Sequence, residues 1–117
     1  MANQTHHQID YIEIYVTDME AAKSFYSAAF EWEFTDYAPE YVGFKRGDAE
    51  AGGFALVDDI KTGGPLIILY SNELEKSLDA VKEAGGTISG GIISFPGGRR
   101  FQFQDPCGNE LAVWSDQ

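Results

Sequence analysis

A strand followed by an amphipathic helix occurs twice in this chain, about 55 residues apart, and no other feature limits its fold so strongly. The first copy is IDYIEIYVTDMEAAKSFYSAAF, from Ile9 to Phe30. Alternation places Tyr11, Glu13 and Tyr15 on one face of the strand and Ile12, Ile14 and Val16 on the other. Thr17-Asp18-Met19-Glu20 has capping-box form, which predicts Thr17 as the cap. Met19, Ala22, Phe25, Tyr26 and Ala29 then recur at helical spacing as one apolar face.

The second copy is PLIILYSNELEKSLDAVKEAGG, from Pro65 to Gly86. Its strand covers Leu66 to Tyr70 and its helix starts within Asn72-Glu73-Leu74-Glu75. Leu74, Leu78, Val81 and Ala84 form the apolar stripe, and Gly85-Gly86 ends it. Each copy alone is too small to enclose a core, so the two must share one.

The remaining segments fill in the repeat. Glu31–Tyr37, Tyr41–Arg46 and Gly53–Val57 read as three strands separated by Pro39-Glu40 and Gly47-Asp48. Thr87–Phe95, Arg99–Gln104 and Glu110–Trp114 read as three more, separated by Pro96-Gly97-Gly98 and Asp105–Asn109. Ile60–Pro65 is the only linker-like stretch. The expected organisation is a single α+β domain over 1–117, with module one at about 9–58, a linker at about 59–64 and module two at about 65–115. Each module runs strand, helix, strand, strand, strand.

Charge narrows the choice of partners. With 19 acidic against 8 basic residues and a net charge of −11, the surface repels phosphate backbones and anionic membranes. No apolar run reaches the roughly 20 residues that span a bilayer. The opening MANQTHHQ lacks the charged and apolar regions of a secretory signal, and its His6-His7 pair lies in a free polar arm. A lone Cys107 leaves no internal disulfide and fits a reducing cytoplasm. It stands at a turn with no histidine close in sequence, the setting of a turn residue rather than a nucleophile.

The duplicated order, the IDYIEIYVTDMEAAKSFY opening, the AGG after the second helix and the closing DPCGNELAVW together resemble the glyoxalase/bleomycin-resistance/dioxygenase superfamily, the vicinal oxygen chelate proteins. The resemblance runs from about Ile9 to Trp114. It implies two βαβββ modules forming a curved eight-stranded mixed sheet around a cleft, and pairing of two copies as a homodimer. Function varies within such a fold, so the site must be argued by itself.

Metal-dependent members hold a divalent ion with His or Glu from equivalent strands, and the ion acts as a Lewis acid. The resemblance carries those positions onto Tyr11, Leu66, Ala112 and a place near Gly52 to Phe54, with Glu50 close by. Leu66 and Ala112 offer no donor atom, and a neutral tyrosine is a poor ligand. No cofactor is expected, and a divalent metal is the alternative.

With Tyr11 facing the cleft, alternation brings Glu13 and Tyr15 to the same wall, Ile68 and Tyr70 with Leu66, and Glu110 and Trp114 with Ala112. Phe54 and Arg100 complete the expected ligand-binding set. Glu13 keeps two readings: a general base flanked by tyrosines, or a carboxylate paired with Arg99 or Arg100. Only one of those arginines can face inward, to clamp a carboxylate or pair with the acidic surface.

The favoured function is metal-free binding of a small, partly aromatic or cationic molecule, such as a bleomycin-like antibiotic. One alternative is a glyoxalase- or dioxygenase-like enzyme with ligands displaced to Glu13, Glu50 and Glu110 or His7, or with Glu13 as base. The other is an interaction module whose cleft is filled.

Overall fold

A computed structural model describes residues 4–117. The chain runs β1 (Ile12–Val16), α1 (Met19–Phe30), β2 (Phe34–Ala38), β3 (Tyr41–Arg46), β4 (Ala49–Leu56), β5 (Ile67–Tyr70), α2 (Leu74–Glu83), β6 (Thr87–Phe95), β7 (Gly98–Gln104) and β8 (Glu110–Ser115). This is βαβββ twice, as the repeat demands.

The eight strands divide into two four-stranded mixed sheets, one per module, ordered β1-β4-β3-β2 and β5-β8-β7-β6. In each, the strand that precedes the helix pairs in parallel with the last strand of its module, and the remaining pairs are antiparallel. The expected eight-stranded wall is thus built from two separate ladders. The modules are joined by side chains instead.

Those side chains come mainly from α1. Asp18, not Thr17, caps the helix: its backbone is extended at φ −145°, and its carboxylate accepts from the Ala21 amide at 3.0 Å. A carboxylate one residue later in the chain is already at the cap, so the threonine hydroxyl is displaced from that role. Met19, Ala22, Phe25 and Tyr26 are buried along one stripe. Tyr26 packs on Phe54 of β4 at 5.3 Å between ring centres, while Phe25 packs on Phe103 of β7 at 5.9 Å. One helix therefore serves both sheets, and the resulting core contains residues of both modules.

The second helix buries Leu74 and Val81. Its cap residue, Glu73, makes no side-chain cap bond; Ser71 Oγ accepts from the Glu73 amide at 3.0 Å. Gly85, at φ +101°, closes the helix in the left-handed conformation that glycine adopts without strain. No helix among the described residues is long and apolar enough to cross a membrane.

Candidate functional site

The helices cover one face of each sheet and leave the other open. On the first sheet, Ile14, Phe54 and Val42 lie side by side in register and face the helices, while Glu13, Gly53 and Gly43 lie side by side on the open face. Phe54, expected on the cleft wall, is completely buried for this reason. It belongs to the core, and its neighbour Gly53 occupies the open face.

The two glycines leave a trough, and four polar side chains fill it. Tyr11 Oη donates to Glu50 Oε2 at 3.2 Å, Tyr37 Oη donates to Glu50 Oε1 at 2.6 Å, and Tyr11 and Tyr41 share a hydrogen bond of 2.8 Å. A Cβ at Gly53 would lie 2.8 Å from Tyr11 Oη and closer still to Tyr41 Oη; one at Gly43 would collide with the Glu50 carboxylate. Partial burial, then the bonds to Tyr41 and Glu50, pushes the Tyr11 hydroxyl well above its ordinary pKa. The bond to Glu50 does the same for Tyr37.

Glu50 reaches this face through a bulge. Phe44 pairs with Gly52 but Lys45 pairs with Glu50, so Ala51 is an extra residue in β4. Without that residue, strict alternation would turn Glu50 to the helix side with Gly52 and Phe54. Sequence alternation therefore missed Glu50, Tyr37 and Tyr41 as one group.

On the second sheet, the open face carries Ile93, Arg100, Trp114 and Tyr70 in one row across the strands, and Gln102, Ala112 and Ile68 in the next. Tyr70 and Trp114 meet edge to face at 5.3 Å, and the Tyr70 hydroxyl donates to Asp116 at 2.6 Å. Arg100 is the arginine on the open face, bonded to Gln102 at 3.4 Å. Arg99 turns to the helix side and pairs with Glu75 in the first turn of α2. Neither arginine pairs with Glu13, which makes no side-chain hydrogen bond or ion pair among the described residues.

Two cavities open along the seam between β1 and β5. One, of about 640 Å³, has Tyr11, Glu50, Ile12, Trp32, Phe44 and Ile68 among its lining residues. The other, of about 780 Å³, includes Glu13, Tyr15, Leu66, Gln102, Gln104 and Glu110. Tyr11 and Ile68 meet in the first cavity, Glu13, Tyr15 and Leu66 in the second, and Tyr70, Arg100 and Trp114 stand outside both. Ala112 is completely buried beneath its neighbours on the open face, so it offers a ligand little surface. Among the described residues, no three His, Cys, Asp or Glu side chains converge as a metal site would need.

Comparison with known proteins agrees with this architecture. The family model described as the Glyoxalase/Bleomycin resistance protein/Dioxygenase superfamily matches residues 8–113. A glyoxylase-like domain-containing protein of Didymella fabae is 32% identical over 119 aligned positions, covering 92% of this chain and 93% of that one. A glyoxalase/bleomycin resistance protein/dioxygenase family enzyme from Burkholderia phytofirmans PsJN superposes with a TM-score of 0.80 at 16% identity, over 93% of this chain and 98% of its own. TnmS3, an antibiotic binding protein from Streptomyces sp. CB03234, superposes with a TM-score of 0.70 at 22% identity, over 97% of this chain and 98% of its own. At those identities the two structures speak for the fold alone.

Proposed function

Because this chain belongs to the glyoxalase/bleomycin resistance protein/dioxygenase superfamily, we propose that it works as a metal-free binding protein for a small, partly aromatic or cationic molecule. The observation that carries this reading is the donor set. Where metal-dependent relatives place ligands, this chain has Leu66 and Ala112, which have no donor atom, and Tyr11, whose hydroxyl is engaged by Tyr41 and Glu50. One carboxylate, Glu50, with both oxygens accepting phenolic protons, does not make a divalent-ion site. Chemistry that needs a chelated ion has no footing in these residues.

What the residues do suit is apolar and aromatic contact. The 640 Å³ cavity places Trp32, Phe44, Ile12 and Ile68 beside the Tyr11–Glu50 pair, with Asp10, Lys45 and Arg46 also on its lining. That combination fits a flat ring held by packing and oriented by a hydrogen bond. TnmS3, described as an antibiotic binding protein, is an instance of this fold in such a role.

A homodimer completes the proposal. The open face of the second sheet leaves Ile68, Tyr70, Ile93 and Phe95 exposed, Tyr70 and Ile93 each by more than half. An apolar patch of that kind on a sheet face calls for a cover, and a second copy supplies one. Light scattering in solution reads the mass directly.

The function itself is tested by elemental analysis of untagged protein together with thermal melting, with and without EDTA and across a panel of aromatic ligands. The expected result is no stoichiometric metal, no shift with EDTA and a higher melting temperature with a bound aromatic. One equivalent of metal together with a melting temperature lowered by EDTA would overturn the metal-free reading.

A further inference from the structure

The Tyr11–Tyr37–Tyr41–Glu50 network has a fixed hydrogen-bond polarity, set by how many protons it contains. A tyrosine hydroxyl donates once, and a carboxylate only accepts. Tyr37 spends its proton on Glu50 Oε1, and Tyr11 spends its own on Glu50 Oε2. The 2.8 Å bond between Tyr11 and Tyr41 must then run from Tyr41 to the Tyr11 oxygen. All three phenolic protons are consumed inside the network. What it offers outward is acceptors alone: the lone pairs of Tyr41 and Tyr37, and the unused lone pairs of Glu50.

We propose that this network recognises a protonated amine on the bound molecule. An amine brings up to three N–H donors and a positive charge to a site that holds acceptors and one negative charge. Within the four-residue network itself a carboxylate or phosphate finds no donor and meets like charge. The rings of Tyr37 and Tyr41, 6.5 Å apart at 39°, stand at the same place and add the attraction of aromatic faces for a cation. Tyr37 is 61% exposed and Tyr11 39%, so the group is open to solvent on this face. The net charge of −11 favours approach of a cation from a distance.

Basic charge beside the network opposes this, most directly at Lys45, with Arg46 also on the lining of the cavity. Lys45 is the cross-strand partner of Glu50 on the same face, exposed, and within 4 Å of no carboxylate oxygen among the described residues. Its ammonium competes with a ligand for the Glu50 acceptors. Removing it should therefore strengthen amine binding, an effect that a misfolded variant cannot imitate.

This inference rests on the binding role proposed above, and its test separates the two. The probes are tryptamine, 3-propylindole and indole-3-propionate, which share one ring system and differ in charge; affinity is read by titration calorimetry at neutral pH. The expected result is tryptamine at least about tenfold tighter than either analogue, the scale of one charge-assisted hydrogen bond. Glu50→Gln should erase that preference, Tyr41→Phe should weaken it, and Lys45→Ala should enlarge it, each with an unchanged circular dichroism spectrum. Equal binding of all three probes, or a preference that survives Glu50→Gln, overturns the amine assignment and leaves the binding role standing. No binding by any probe overturns the amine assignment and counts against the binding role too.

Discussion

The Tyr26 hydroxyl donates to Asp105 Oδ2 at 2.8 Å, across 79 residues of sequence and in the interior of the protein. The other oxygen of Asp105 accepts from the amides of Cys107 and Asn109, each at 2.9 Å. One carboxylate thus shapes the turn between β7 and β8 and anchors it to α1 of the other module. Tyr26→Phe keeps the ring and its packing but takes one donor from a buried carboxylate. We expect a loss of about 1–3 kcal/mol in urea unfolding, with ligand affinity at the Glu50 network unchanged. A loss of a few tenths or less would mean that packing alone joins the modules.

The same bond has an alkaline signature. Burial first, then the charge of Asp105, raises the Tyr26 pKa well above its usual 10.0, and Tyr11, Tyr37 and Tyr70 are raised as well. In the unfolded chain these hydroxyls ionise near pH 10, while the folded chain keeps its protons to higher pH. Above about pH 10 the unfolded state binds fewer protons, so stability falls as pH rises, and below it these groups contribute a constant amount. Urea midpoints measured from about pH 8 to about pH 11.5 should fall steeply only at the top of the range. Tyr26→Phe should lie lower throughout and fall less steeply there.

Much of this was legible in the sequence, and the part that was not has a specific cause. The strand–helix repeat placed both helices and all eight strands, because helical and alternating patterns differ over a few turns. Alternation also put Tyr11, Glu13 and Tyr15 on one face of the first strand, opposite Ile14 and Val16, and allowed only one of Arg99 and Arg100 to face inward. The sequence reading failed at Phe54, expected on the wall beside a position carried over by resemblance, whereas its register with Ile14 and Val42 commits it to the core. It failed again at Glu50, where the extra Ala51 breaks the alternation and turns a carboxylate outward. A bulge shifts one residue without changing composition, so only the register reveals it. Thr17 lost the cap to Asp18 for a similar reason: either residue satisfies the pattern, and geometry chose the second.

Arg99 and Glu75 give a prediction at the acid end. The hydrogen bonds from Arg99 hold the Glu75 carboxyl below its ordinary 4.5, and the pair ties β7 to the first turn of α2. A lowered folded pKa stabilises the fold above the unfolded value, and that contribution disappears as pH falls through the folded one. With Arg99→Gln, the Glu75 titration followed by carbon-13 NMR should move up toward the ordinary carboxylate range. An unmoved titration would show that the pair does not persist in solution.

Glycine substitutions separate the site from the scaffold most sharply. At Gly43 and Gly53 an added Cβ meets only the ends of flexible side chains: the Glu50 carboxylate at one, and the Tyr41 and Tyr11 hydroxyls at the other. Those chains can swing outward at small cost, so Gly43→Ala and Gly53→Ala should fold with little change in stability while the network comes apart. At Gly52 the added carbon meets the Ile12 carbonyl and, at 2.6 Å, the Phe44 ring; at Gly98 it meets the Ser115 carbonyl. Those backbone atoms belong to the β1–β4 and β7–β8 pairs and cannot swing away without breaking them. Gly52→Ala and Gly98→Ala should therefore cost about 1–3 kcal/mol or more. Thermal melting ranks the four variants, and ultraviolet titration of the tyrosines reports on the network. Release of Tyr37 from Glu50 should bring its ionisation down toward pH 10 in Gly43→Ala, while Tyr11, raised chiefly by burial and by Tyr41, stays high, and the Gly52→Ala and Gly98→Ala proteins retain both high values for as long as they stay folded. If Gly43→Ala proves as unstable as Gly52→Ala, the trough is part of the scaffold and the open face has no room to spare for a ligand.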